Sequence, residues 1–429
     1  LTGAHTTSSF DSFGRPQLTE GALYGLPGDV VRAILPHTEA CDAALLMSYL
    51  TCLGNCFGPQ PSLLVGADWH PGRLFVLVIG DSARGRKGTA GSEITRVMSL
   101  ADPVWHRDRV EHGLQSAEAL IARCDKGETR DPRLLVVEFE FGRMLVVMRA
   151  RPNLANTLKL SWDGGDLSVA TKDRKRRLRA EGAHVSLIGH ITAAELGDRL
   201  TATDIDSGFA GRFLYVVSYR SKLLPSGGRL DLGELGKLAD PTAETVRFAR
   251  DLGLSRLDPV SRVLAAHRGV YPPVELDRTR GFRRRWESLY VTDFEEPVPG
   301  VTAGAVTCRV APQVLRLSVI YALADLSGTV DTPHLEAAWA AWRYTRDSAI
   351  SVFGTVTGNR DADRIMRELR RARRLRKKDI WLLFSRNRSQ RQLDEAIVAV
   401  LATGQVRESS VVTGGRPAQV FEWIQEGEQ

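Results

Sequence analysis

Three groups of residues in this chain have the types and spacing for chemistry on phosphates. The first is the loop at 80–89, GDSARGRKGT, directly after the apolar run Leu74-Phe75-Val76-Leu77-Val78-Ile79. Gly80 and Gly85 allow backbone N–H groups to turn inward around phosphate oxygens. Lys87, flanked by Arg86 and Gly88, supplies a point charge, and the Thr89 hydroxyl is placed to reach a Mg²⁺ ion. The spacing departs from G-x4-G-K-[ST]: Arg86 precedes Lys87, and Gly88 separates Lys87 from Thr89. The second group is Glu138 and Glu140, which close the apolar run Leu134-Leu135-Val136-Val137. On an extended strand they share a face, so both are expected to look at one metal and its water. Which of the two acts as base stays open, and two solvated glutamates on an edge strand is the plain alternative. The third group stands at the ends of further apolar runs. His190 and Thr192 follow the segment 184–189 and are candidates for orienting a water near the terminal phosphate. Arg212 precedes Phe213-Leu214-Tyr215-Val216-Val217 and is placed to stabilise developing charge, or else is an ordinary surface arginine or one that caps a turn.

These groups need an alternation of buried strands and helices, which is an α/β core. Around it, apolar residues recur at helical spacing over 18–57, with Pro36 separating two helices and Gly54 and Gly58-Pro59 ending the run. Ser116 is expected to cap a helix to about Cys124. A basic burst, Lys172, Arg174, Lys175, Arg176, Arg177 and Arg179, forms a solvated loop or one that grips nucleic-acid phosphates. Residues 221–240 read as a linker. The acid-ended strand is expected beside the one feeding the glycine loop. From 241 to 354 the pattern is helical. One apolar stripe runs through 306–326 with Arg309 and Arg316 on one side, and a helix begins at Thr332-Pro333. Residues 354–360 read as a hinge. Beyond it, helices over 363–375, 377–384 and from Ser389, then a hairpin over 406–424, read as a winged helix-turn-helix. Its cations, Arg373, Arg374, Lys377, Lys378, Arg391 and Arg416 among them, favour duplex phosphate contact, although such modules also bind proteins. The divisions expected are 1–17 as lead-in, 18–70 as a helical N-terminal subdomain, 71–222 as the core, 223–354 as linker and helical lid, and 360–429 as the winged module.

The chain has 429 residues, 43% hydrophobic and 25% charged, with a net charge of +7 that leans toward a polyanionic partner. No apolar run reaches the roughly 18 residues of a membrane span. The five cysteines, Cys41, Cys52, Cys56, Cys124 and Cys308, lack zinc-site spacing. A cytoplasmic setting without membrane contact is the expectation.

The order of parts resembles the ring-forming AAA+ DNA helicases, the minichromosome maintenance group in particular. Arg212-Phe213 matches their arginine-finger pair, and Arg309 ahead of Arg316-Leu317-Ser318 matches their second sensor. Val137-Glu138-Phe139-Glu140 stands where they have D-E-F-D, and the basic loop before His184 falls where their pore hairpin sits. Residues 25–354 more closely resemble a family of primase-helicase-like ATPases from actinobacteria, their phages and plasmids. The matching segments are GRKGTA (85–90), 113–121, the EFEF strand, WDGG (162–165), SLIGHITAAEL (186–196) and GFAGRFL (208–214). The resemblance implies an AAA+-like P-loop ATPase that takes ATP and Mg²⁺, with Thr89 and Glu138 at the metal. Arg212 would act on a neighbouring subunit and Arg309 as a lid sensor. It further implies a homo-oligomer, a hexamer by expectation, with single-stranded DNA in its pore and duplex at the winged module. Such a ring would work in replication of a mobile element, with a separate primase or replisome partner. A different class of function fits the same parts: a nucleotide-regulated DNA-binding protein, such as an origin binder, regulator or defence component, that does not unwind.

Overall fold

Phe75–Ile79 is buried along its whole length, as a strand must be when others flank both its edges and helices cover both its faces. The computed structural model describes residues 10–11, 14–82, 85–124, 131–170, 177–268, 272–353, 359–385, 387–411 and 418–424. Within them the chain divides into two compact units, the first of residues 1–296 and 306–348 and the second of 297–305 and 349–429.

The first unit is built on a five-stranded parallel sheet. Its order is Val110–His112, Arg133–Glu138, His184–Ile191, Phe75–Ile79 and Phe213–Val217. The acid-ended strand Arg133–Glu138 is therefore not beside Phe75–Ile79, contrary to expectation. His184–Ile191, buried at all eight positions, lies between them and takes the more enclosed place.

Side chains alternate across the sheet, and this assigns its two faces. Ser186 meets helix Asp42–Phe57 through Asn55. Gly189, on the opposite face, abuts Phe141 of helix Phe141–Ala150. Asp42–Phe57 is buried from Ala43 to Phe57, so its one amide must be satisfied inside the protein. Asn55 donates to the carbonyls of Leu134 and His184, both at 3.1 Å, and accepts from Trp105 Nε1 at 2.8 Å. Of the expected stops, Gly58 caps this helix and Gly54 lies inside it. A Cβ there would sit 2.1 Å from the Gly72 carbonyl oxygen, so glycine is present for a close approach of backbones.

Helix Leu232–Ser255 starts inside the segment expected to be linker. Asp231 caps it through the Glu234 N–H at 2.8 Å, and it carries Pro241 internally. The stripe at 306–326 is broken, because Arg309 is the N-cap of helix Val310–Ala324 and a separate helix, Val301–Thr307, precedes it. Helix Thr332–Phe353 starts where the sequence indicates. Among the described residues no single helix is long and apolar enough to cross a membrane.

Arg133 ties three segments together. It is 3% exposed and reaches Asp102 and Asp131, each at 2.7 Å, and the Cys56 carbonyl at 3.0 Å. Replacing it strands two largely buried carboxylates. Arg133→Met is expected to lower unfolding stability by about 3–5 kcal/mol, read from urea midpoints. Adding Asp102→Asn and Asp131→Asn to the same chain should recover part of that loss. An unchanged midpoint for the single variant would contradict the ion-pair account.

The second unit packs helices Arg360–Ala372, Lys377–Leu383 and Gln390–Leu401 around Ile365, Leu369, Ile380, Leu393 and Val400. An antiparallel sheet ordered Arg374–Arg376, Ala418–Trp423, Val406–Val411 completes it. Ser389 and Gln392 form the reciprocal cap their spacing indicates. The hinge expected at 354–360 falls largely outside the described residues.

Candidate nucleotide site

Ligands of open parallel sheets bind beyond the carboxyl ends of the strands, where crossover direction reverses. In this sheet the reversal falls at Phe75–Ile79, and the glycine loop leaves that strand's carboxyl end. The Gly80 N–H donates to the Ile191 carbonyl at 3.1 Å, and the Gly85 N–H to the Asp81 carbonyl at 2.9 Å. Both glycines are required by space. A Cβ on Gly80 would sit 2.7 Å from the Ser218 carbonyl oxygen, and one on Gly85 would sit 2.8 Å from the Asp81 backbone.

The extra residue in the loop is absorbed at Arg86, whose φ of 48° is left-handed. Such a conformation costs a non-glycine residue about 1 kcal/mol. An ion pair with Glu39 holds Arg86 there. The Leu224 N–H, then Arg220 and Arg86, keep the Glu39 carboxyl below its ordinary range. Helix Lys87–Ala101 starts at the next residue. Its first hydrogen-bonded amide is that of Ala90, to Arg86, so the amides of Lys87, Gly88 and Thr89 have no partner within the helix. Around Gly88 the space is open: a Cβ there would meet nothing within 4 Å. Lys87 is half-buried and donates to the Gly80 carbonyl at 2.8 Å. Burial draws its pKa down, while the Asp81 and Glu195 carboxylates oppose that shift. This arrangement fits a phosphate group. Glu195 was not singled out from sequence, although Thr192-x-x-Glu195 has the spacing of a cap that would bring it there.

The acids divide. The strand ends at Glu138, and Glu140 is the exposed N-cap residue of the next helix, so the two carboxylates do not share a strand face. Glu138 is 8% exposed and accepts from the Leu114 N–H at 2.5 Å. Burial raises its pKa, and the Leu114 hydrogen bond opposes this. Glu138 pairs with Gly189 and so lies on the Phe141 face, whereas His190 lies on the other. The Thr192 hydroxyl accepts from the Glu195 N–H at 3.1 Å and caps helix Ala193–Arg199.

The arginines form a separate cluster. Arg212 is 6% exposed, which is not an ordinary surface position. It donates to Asp163 at 2.7 Å and to the Gly208 carbonyl at 2.6 Å. Arg309 does not reach its own chain's glycine loop as a lid sensor would. A Cβ on Gly208 would touch Arg309 Nη2 at 3.3 Å and Arg212 Nη1 at 3.4 Å, so the two guanidinium groups are neighbours. Both face Trp162, at 5.4 and 5.5 Å from its ring centre, with Arg316 against it at 3.5 Å. Burial, then Arg212, lowers the Arg309 pKa, and burial lowers that of Arg73 to about 10. Arg212 precedes Phe213, which is level with Phe75, whereas Gly80 follows Ile79 at the other end of the adjacent strand. Cluster and loop are thus at opposite ends of two adjacent strands, roughly 20 Å apart along them.

Lys172, Arg174, Lys175, Arg176 and Arg416 lie outside the described residues, as does the Arg177 side chain. Strands Leu167–Ala170 and Arg177–Ala180 pair antiparallel, and Arg179 is held by Asp166 and Glu181 at 3.0 and 2.9 Å. In the second unit, Arg374 pairs with Glu422, Lys377 with Asp394 and Arg391 with Glu395, at 3.1, 3.0 and 2.9 Å. Arg373 and Lys378 are exposed with no ion pair among the described residues. The cationic surface is thus more neutralised than a count of residues between 364 and 391 implies.

Burial holds His70 and His190 at pKa values of about 4, and His184 well below the ordinary range. These are lower than in the unfolded chain, which binds more protons between pH 6.5 and 4. Stability should therefore fall as pH drops through that interval, by up to about 3 kcal/mol for each of the first two histidines. Urea midpoints across this range test it, and a profile that does not fall would refute the neutral assignment.

No family model matches the chain, and no curated protein matches it significantly.

Proposed function

We propose that this chain is an ATP-dependent DNA translocase or helicase, an AAA+-like P-loop ATPase with a winged helix-turn-helix module, working as a homo-oligomeric ring. The observation that carries the reading is the placement of the glycine loop and the Arg212–Arg309 pair at opposite ends of adjacent strands in one sheet. An arginine pair that cannot serve its own loop can serve that of an adjacent copy. A ring closes such head-to-tail contacts, and six copies is the number the resemblance implies.

In this reading the amides of Lys87, Gly88 and Thr89 hold phosphate oxygens, and Lys87 exchanges the Gly80 carbonyl for them. Thr89 and Glu138 would hold Mg²⁺, directly or through water; when bound, the ion neutralises phosphate charge. Glu138, its pKa raised by burial, is the acid in place to accept a proton from water. Glu140, exposed at the helix cap, is not. Arg212 and Arg309 stabilise charge on the neighbour's terminal phosphate. Arg373 and Lys378, exposed and without an ion pair among the described residues, would contact DNA.

Mass photometry with and without ATP·Mg²⁺ and single-stranded DNA tests this. The expected result is an ATP-dependent shift to about six subunits, accompanied by strand displacement. Monomers or dimers under every condition would overturn the ring. ATP-dependent assembly without displacement would favour the nucleotide-regulated DNA-binding protein instead.

A further inference from the structure

A cavity of about 270 Å³ lies behind the glycine loop, within the first unit. It is a slot. Gly91, Ile94 and Met98 of helix Lys87–Ala101 form one wall, and Leu135, Val137 and Ile188 of the sheet form the other. The slot stays open because position 91 has no side chain. A Cβ there would lie 3.6 Å from His190 Cε1 and 3.9 Å from Nε2. His190 is 3% exposed, and its Nε2 has no hydrogen-bond partner among the described residues. A buried ring nitrogen left unpaired is costly, and a ligand bearing a complementary group removes that cost. At the mouth stands Phe139, 57% exposed. It stacks on His112 with ring centres 5.3 Å apart and meets His190 edge-on at 5.5 Å.

We infer that this slot is a binding site for a small planar heteroaromatic molecule, which enters past Phe139 and hydrogen-bonds His190 Nε2. Flat apolar walls select the ring, and one buried nitrogen selects its polar edge, the usual division of labour in a ligand pocket. The imidazole stays neutral at physiological pH because it is buried and close to Lys87. A neutral partner is therefore preferred over an anion. Among the described residues none of the glycine loop at 80–89 lines the slot.

Benzimidazole, which offers both a ring N–H and a ring acceptor, is the probe. Indene, of the same shape without nitrogen, is the control. Titration calorimetry of the full chain without nucleotide should give one benzimidazole per chain, with a Kd on the order of 0.1–1 mM. His190→Phe keeps the ring and removes its nitrogens. It should weaken benzimidazole about tenfold and leave indene within about twofold. Gly91→Leu, which fills the slot from an ordinary helical position, should abolish binding of both while the circular dichroism melt stays cooperative. Absence of saturable benzimidazole binding would overturn the proposal, as would unchanged affinity in either variant. Should His190→Phe fail to fold, a crystal soak decides: density in the slot supports the site, and density only elsewhere refutes it.

Discussion

Lys87→Ala is expected to lower DNA-stimulated ATP hydrolysis at least about a hundredfold, the scale for removing one preorganised charge from a reacting phosphate. The expectation rests on placement. Lys87 is the first residue of its helix, and its ammonium bonds the Gly80 carbonyl at 2.8 Å. That bond spans the same loop whose amides are free to turn to phosphate. Removing the side chain deletes the charge and leaves one carbonyl to water, so the melting temperature should move by only a few degrees. Nucleotide affinity, measured with a fluorescent analogue, should fall together with the rate. Hydrolysis at the wild-type rate in Lys87→Ala would remove the phosphate-loop assignment.

Arg212→Ala separates binding from turnover. Nucleotide affinity should remain, while hydrolysis falls by about a thousandfold, as for other arginines that act on phosphoryl transfer from a neighbouring subunit. The decisive measurement is a mixture. Lys87→Ala and Arg212→Ala are each expected to be nearly inactive by themselves. In a mixed assembly, the intact glycine loop of an Arg212→Ala chain would meet Arg212 of a Lys87→Ala neighbour. Hydrolysis should therefore reappear on mixing. Activity that stays at the level of the separate variants would show that Arg212 serves its own chain's fold, through Asp163 and Trp162, and not a neighbour.

The strands and the loop were legible because a run such as Phe75–Ile79 is apolar at every position and ends at a glycine that the tight turn requires. The capped starts at Ser116 and Ser389 were legible for the same kind of reason, since a hydroxyl three residues ahead of a free amide is a local device. Three things were not legible. Alternation along a strand predicts that Glu138 and Glu140 share a face only while the strand lasts, and nothing local says that it stops at Glu138. The glycines and Pro225 of 221–240 suggested linker, yet helix Leu232–Ser255 begins within that segment, held by a cap at Asp231 and by packing on helix Lys87–Ala101. Arg309 meets Arg212 across a separation of 97 residues, by way of Trp162, and no spacing rule reaches so far. Arg86 is an intermediate case. The surplus residue in the loop was visible, but not that a left-handed turn, braced by Glu39, absorbs it.

The burial of helix Asp42–Phe57 has a consequence for how the chain is made. Its Asn55 is satisfied by Leu134, His184, Ser186 and Trp105, and part of its apolar surface is covered by strands extending to Val217. A ribosome adding about 5–20 residues per second delivers the last of those partners roughly 8–30 s after the helix itself has been synthesised. Through that interval a largely apolar helix has only part of its cover. Newly made chains should be most vulnerable to aggregation and most attractive to holding chaperones before Val217 emerges, and a translational pause placed between the two would lengthen the exposure.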